Sequence, residues 1–235
     1  MLKISGVKLN KASKIKVIFG DKAVQHTNIL LNVNKVNLKT YIRNHLYIQL
    51  VNNELESFLT LVFNDCTITN IYWAAYYIAT VYHETGATFI PVIETGKGSG
   101  ISYGKAVNVT DKYGYRGVKG KVYKNIFYGR GYVQITHDVS YKYISEKLGL
   151  RKDELYINPD KALEVNLAYK ILTYWMQNNI PQIKGKWRTI QENIMMQGKP
   201  DYVRARRIVN GTDEAEKNSD YAIVTEALIR LSAIK

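Results

Sequence analysis

The chain has 235 residues, 46% of them hydrophobic, which suits one large domain, or a domain with a small appendage, and is enough to fill a sizeable core. With 33 Lys and Arg against 20 Asp and Glu, the formal charge of +13 points to a polyanionic partner: nucleic acid, anionic lipid or a negatively charged wall polymer. The single cysteine, Cys66, excludes an internal disulfide and a zinc site built from several thiolates.

Lys3, Lys8, Lys11, Lys14 and Lys16 interrupt the N-terminus, so no apolar core of signal-peptide length is expected there, and action outside the cytoplasm would need another delivery route. Residues 1 to about 45 are rich in Lys and Asn, with Ile15-Lys16-Val17-Ile18 before Gly20-Asp21 reading as strand and turn. This stretch is expected to be a small appendage with β character, and residues 46–235 the main domain. From Leu46 the apolar positions turn helical: Leu50, Leu55, Phe58, Leu59, Leu61 and Val62 form a stripe ending at Asn64-Asp65. A second helix, starting near Thr67 or Thr69, carries Ile71, Ala74, Ala75, Ile78, Val81 and Tyr82 and is expected to be deeply buried. The uncharged run Cys66 to Tyr82 falls short of the roughly 20 apolar residues of a membrane span.

Gly86 to Gly131 lacks helical periodicity and contains many Gly, Lys and Tyr, and so long an irregular stretch points to function. Helices resume from Ser140 to Leu148, closed by Gly149, and from Asn158-Pro159 through Gln177, with Leu163, Leu167, Ile171, Leu172 and Trp175 inward. Pro200 and Asn210-Gly211 bracket a basic helix, and Ser219 is expected to cap a last one bearing Tyr221, Val224, Leu228 and Leu231. The expected fold class is mainly α. Tyrosine outnumbers phenylalanine 19 to 5, a bias that suits core edges and faces holding sugars or bases.

Four local patterns carry chemistry. In His83-Glu84-Thr85-Gly86, Glu84 shares a helix face with Tyr77 and Val81, so its surroundings are expected to be apolar or neutral, which favours the neutral carboxylic acid that a proton donor needs. No zinc-protease signature is completed, because Ala87 stands where the second histidine would fall. Glu94 lies ten residues further on, about 15 Å away along a straight helix, but Gly86 and Pro91 turn the chain and allow the roughly 6.5–9.5 Å of an inverting acid/base pair. Asp111 is a rival for that second position. In Tyr128-Gly129-Arg130-Gly131-Tyr132-Val133-Gln134-Ile135-Thr136-His137, strand-like alternation sets Gln134 and Thr136 on one side, able to hold a water or a sugar amide. Arg204, Arg206 and Arg207 form a short basic cluster, which either meets a nucleic-acid backbone or, more commonly, pairs with acidic residues.

Taken in order, His83-Glu84-Thr85, Pro91-Val92-Ile93-Glu94, Tyr128-Gly129-Arg130-Gly131-Tyr132-Val133-Gln134-Ile135-Thr136 and Arg207-Ile208-Val209-Asn210-Gly211 resemble glycoside hydrolase family 19. The resemblance runs from about residue 50 to the C-terminus and is to the phage and bacterial branch, which includes endolysins. It implies a lysozyme-like helical fold in which the long irregular segment forms a cleft. Glu84 would protonate the leaving glycosidic oxygen and Glu94 would activate the attacking water. Gln134 and Thr136 would bind substrate or position that water, with Asn210, Tyr103, Tyr128, Arg130 and Tyr141 completing the substrate-binding set. Family members often carry Asn before that last tyrosine, where this chain has Ser140.

The implied activity is hydrolysis of β-1,4 bonds between amino sugars of bacterial peptidoglycan, with inversion and without a metal or other cofactor. A chitinase of the same mechanism and a non-catalytic wall-binding or virion protein on the same fold are the alternatives. No nucleic acid is expected as partner, and a monomer is expected unless the chain is built into a virion. The expected setting is the host cytoplasm before lysis, or the virion, with the bacterial cell wall as target.

Overall fold

The computed structural model describes residues 33–46, 53–180, 189–196 and 198–233. The strand and turn expected at 15–21 and the apolar Leu50 lie outside these residues. Residues 35–45, read from sequence as part of the appendage, form helix α1 (Lys35–His45), capped by the Asn34 side chain, which accepts from the Asn37 N–H. Leu38 and Ile42 of α1 are fully buried in the same core as the rest of the chain, so the helical body begins before residue 46. The signal was faint because only two positions in a Lys- and Asn-rich segment face inward.

Helix α2 (Glu54–Asn64) buries Leu55, Phe58, Leu59 and Val62, the stripe expected from spacing. Helix α3 (Ile71–Glu84) is the central one, with every residue from Ala74 to Val81 buried. It starts later than Thr67 or Thr69, because Asp65 takes both the N–H and the hydroxyl of Thr67, and Asn70 supplies the cap by accepting from the Trp73 N–H. After α3 come strand β1 (Val92–Ile93), a 3-10 turn Ser102–Gly104, the hairpin β2 (Val107–Thr110) and β3 (Val122–Asn125), and β4 (Arg130–Gly131). Strand β1 pairs antiparallel with β4, Val92 opposite Gly131, while β2 and β3 form a separate two-stranded hairpin among the described residues.

Helix α4 (Asp138–Lys147) ends as expected at Gly149, whose φ of +62° belongs to the left-handed region. The Gly149 N–H reaches the Glu146 carbonyl and the Leu150 N–H the Ser145 carbonyl, the two bonds that close a helix over a C-terminal glycine. Short helix α5 (Glu154–Ile157) follows. Asn158-Pro159 starts a 3-10 turn, Pro159–Leu163, rather than a long helix: the chain becomes extended at Glu164 before α6 (Val165–Gln177). Helix α7 (Ile190–Asn193), the pair β5 (Met195–Met196) and β6 (Lys199–Pro200), and α8 (Tyr202–Ala205) lead to a 3-10 turn, Arg206–Ile208. The last helix, α9 (Ala215–Leu231), begins one turn before the expected cap, and Ser219 is a buried residue inside it.

The fold is mainly helical. Helices α3 and α9 pack along one another with α1 and α2 beside them, and Phe58 of α2 meets the rings of Phe89, Tyr132 and Tyr169, tying the irregular segment to this core. Among the described residues no helix is long and apolar enough to cross a membrane. Removing the Leu38 side chain (Leu38→Ala) should destabilise the protein by about 2–5 kcal/mol in denaturant unfolding. The same change at Val36, 65% exposed on that helix, should stay within about 0.5 kcal/mol.

Candidate active site

Helix α3 ends in His83 and Glu84, and the chain then reverses. Gly86, Ala87 and Phe89 all have positive φ, and the hydroxyl of Thr85 accepts the Phe89 N–H to close the turn. The reversal expected from Gly86 and Pro91 is therefore present, and β1 carries the chain to Glu94. Of seven non-glycine residues with positive φ among the described residues, five lie between 86 and 137: Ala87, Phe89, Lys97, Gln134 and His137. Backbone strain of this kind persists only where surrounding contacts enforce it, and it concentrates at functional sites.

The surroundings of Glu84 differ from expectation. Its Oε1 accepts a hydrogen bond from Nη1 of Arg206, so its neighbour is a cation rather than an apolar or neutral group. Helical spacing around Glu84 reveals only its own face, whereas Arg206 arrives from 122 residues away. Arg206 is 1% exposed, and its Nε donates to the Asp213 carbonyl at 2.9 Å. The Asp213 carboxylate accepts from the side chain of Asn210, so Asn210, exposed, stands one residue removed from the Arg206–Glu84 pair. His83 Nε2 lies 3.1 Å from Glu214. Burial, reinforced by the Arg206 charge, pushes the His83 imidazole down against the pull of Glu84 and Glu214.

Glu94 is held at both oxygens. The Tyr103 hydroxyl donates to Oε1 and the Gly129 N–H to Oε2, each at 2.8 Å. Tyr103 reaches it because the glycine-rich loop folds tightly on itself: a Cβ on Gly104 would lie 1.8 Å from the Gly98 carbonyl oxygen. Gly129 is constrained less severely: a Cβ there would come 2.7 Å from Gln134 Oε1 and 3.2 Å from Glu94 Cβ. Gln134 donates its amide hydrogens to the carbonyls of Val92 and Gly131, locking β1 to β4. No strand continues past Gly131. The chain turns at 132–134 with Gln134 at a φ of +50°, although Val133 and Ile135 are buried and Gln134 and Thr136 half-exposed, as the alternation implied.

Beneath Gly129 sits a buried layer. Arg130, 3% exposed, stacks on Tyr128 with its guanidinium carbon 3.6 Å from the ring centre. It donates to Asp160, to the Ile126 and Tyr128 carbonyls and to the Tyr141 hydroxyl, which itself donates to the Tyr128 carbonyl. With Tyr141 fully buried and Arg130 nearly so, these two hold the backbone that holds Glu94 and present no open surface to a glycan. The structure thus brings Glu94, Tyr103, Gln134 and the Tyr128–Arg130–Tyr141 layer together, and sets Asn210 beside the Glu84–Arg206 pair. Sequence reading singled out the arginine cluster but not the partner of Arg206, and it missed that Tyr103 anchors Glu94.

Asp111, the rival second acid, has a different task. Fully buried at the end of β2, it accepts from the backbone N–H groups of Tyr113, Gly114, Tyr115 and Arg116. Desolvation works against its charge, but the four N–H donors outweigh it and hold the carboxyl below the usual aspartate range. Three of these bonds fall on Oδ1 and one on Oδ2, so the buried carboxylate is committed to ordering its own loop.

A family model described as class I chitinase, glycoside hydrolase family 19, matches residues 27–229. Similar solved structures include chitinase C from Streptomyces griseus, 17% identical over 85% of this chain and 93% of that one with a TM-score of 0.47. Another is a bacterial family 19 chitinase, 16% identical over 87% of this chain and 92% of that one with a TM-score of 0.45. No curated protein matches the sequence.

Two measurements check this geometry. Arg206→Ala strands Glu84 without its buried partner and should destabilise the protein by about 3–5 kcal/mol in denaturant unfolding. Because the folded-state value of Asp111 is depressed, its contribution is complete above about pH 4 and disappears as pH falls through the folded value below that. The gap in unfolding midpoint between the native protein and Asp111→Asn should therefore be widest near neutrality and narrow on acidification.

Proposed function

This chain belongs to glycoside hydrolase family 19, a family of hydrolases that cleave glycosidic bonds, and from that premise we propose that it cuts the amino-sugar backbone of bacterial peptidoglycan as a lysin, free or carried by a virion. The observation supporting peptidoglycan over chitin is the formal charge of +13. Chitin is an uncharged polymer, whereas bacterial walls carry carboxylates and phosphates that a cationic enzyme meets by screened, salt-sensitive attraction. The class I chitinase description of the family model favours a second reading, chitin as the substrate with the same machinery.

In the proposed mechanism Glu84 is the general acid. Its carboxylate, ion-paired with Arg206, first takes a proton from solvent and then delivers it to the leaving glycosidic oxygen, returning to the ion-paired carboxylate. Glu94 is the general base. Each of its oxygens accepts one hydrogen bond, from Tyr103 and from Gly129, leaving further lone pairs to take a proton from the attacking water. Water attacking the sugar face opposite the leaving group inverts the anomeric centre. Gln134, by fastening β1 to β4, fixes Glu94 relative to Gly129, and Asn210 and Thr136 offer polar groups to the glycan.

Glu84→Gln and Glu94→Gln should each lower release of reducing ends from purified peptidoglycan by about 10²–10⁴-fold with the fold intact. Unchanged turnover in either variant overturns that residue's role. Proton NMR of the first product should report the α-anomer. Mass spectrometry of digested peptidoglycan, run beside chitin oligomers, tells the two substrates apart and names the bond; faster cleavage of chitin oligomers than of peptidoglycan would establish the second reading.

A further inference from the structure

The hairpin of β2 and β3 is not used by the reaction, yet it leaves the chain directly after Tyr103 and returns just before Gly129, the two residues that anchor Glu94. Its register gives it two unlike faces. Val109 and Asn125 point inward and are buried, and the Asn125 side chain donates to the Tyr156 and Ile157 carbonyls, seating the hairpin on α5. Asn108, Thr110, Val122 and Lys124 point outward and are all exposed.

The charge on this arm is one-sided. From Lys105 to Lys124 the sequence holds Lys105, Lys112, Arg116, Lys119, Lys121 and Lys124 against one acid, Asp111, which is buried and enclosed by backbone N–H groups. All five lysines are exposed, and none belongs to an ion pair among the described residues. Arg116 is committed internally, bonded to Asn125 and stacked on Tyr123. The outward cations are therefore all ammonium groups on flexible stems, which meet phosphate as point charges and impose no fixed two-pronged geometry on the anion. Tyr113, stacked on Tyr115, is 41% exposed beside them. The four bonds to Asp111 order the tip before any ligand arrives, which lowers the entropy cost of binding.

We propose that this hairpin is a docking arm for a phosphodiester-linked anionic polymer of the bacterial wall, distinct from the glycan in the cleft. It rests on the reading of a wall as the target, and it holds the enzyme on the wall while the Glu94 side of the cleft works on neighbouring glycan. The lysine row tolerates variable phosphate spacing, and the lack of exposed acid between Lys105 and Lys124 leaves nothing to repel the chain.

The test uses the full chain carrying Glu84→Gln, so that binding is read without cleavage, sedimented with purified Gram-positive walls before and after hydrofluoric acid strips the phosphodiester polymer. Retention should fall at least about ten-fold on stripped walls, and equally on intact walls when Lys119→Gln and Lys121→Gln are added. A charge-matched control, Lys170→Gln with Lys199→Gln on other elements, should lose no more than about two-fold. Equal losses in the two double variants would mean that net charge alone is at work and would overturn the arm, as would binding indifferent to stripping. Duplex DNA offered as competitor should displace the protein from walls poorly; displacement at matched phosphate concentration, abolished by the same two hairpin substitutions, would reassign the arm to nucleic acid. Cleavage assays on the unsubstituted chain are run separately, so failure to cut peptidoglycan counts against the proposed substrate and leaves the docking result to be read by itself.

Discussion

A guanidinium sealed from water at Arg206 must be answered by a carboxylate, and the one that answers is Glu84, at the end of the central helix α3, buried throughout from Ala74 to Val81. Isolated, either charge would be costly in that position by several kcal/mol. The pairing thus couples the end of α3 to the segment between α8 and α9, and through the Asp213 carbonyl it also fixes the loop that carries Asn210. It gives Glu84 one defined direction, which an apolar surround alone would not have done.

Glu94 reaches the same end by different means. Among the described residues no guanidinium or ammonium bonds it; a phenol and a backbone N–H do, and both depend on glycines where a methyl group would collide with neighbouring atoms. The buried Arg130, bonded to two carbonyls, a phenol and a carboxylate, makes the backbone around Gly129 rigid enough for that N–H to be a fixed donor. The strain at Phe89 and Gln134 lies on either side of this arrangement and is sustained by it, since both residues are anchored: the Phe89 ring in the core against Phe58, the Gln134 amide across β1 and β4.

How much of this was legible in the chain depended on distance along it. The stripes of α2 and α3, the glycine closing α4 and the reversal between Glu84 and Glu94 are local events, written in spacing and in Gly and Pro, and they stand where they were read. The start of α3 was misplaced by a competition between Asp65 and Asn70 for nearby N–H groups, which residue preference alone does not resolve. Helix α1 was hidden because its surroundings are polar and its contribution to the core is two residues. Partners remote in sequence left the faintest trace: nothing near Glu84 announces Arg206, and nothing in Tyr128 to Thr136 announces that its arginine and the tyrosine beyond it lie inside the protein.

The excess of positive charge divides along chemical lines that composition cannot reveal. Arginines do much of the internal bracing: Arg206 on Glu84, Arg130 on Asp160 and Arg116 on Asn125. Such places reward a planar group with several donors and a weakly hydrated charge. On the hairpin the outward charges are lysines, whose ammonium groups hold their water and add to the field around the molecule. A count of +13 already cancels pairs such as Arg206 with Glu84, but it does not say where the uncancelled charge lies. The arm between Lys105 and Lys124 holds five exposed lysines between the two residues, Tyr103 and Gly129, that bond Glu94, so a polymer attracted to the charge is brought close to that carboxylate.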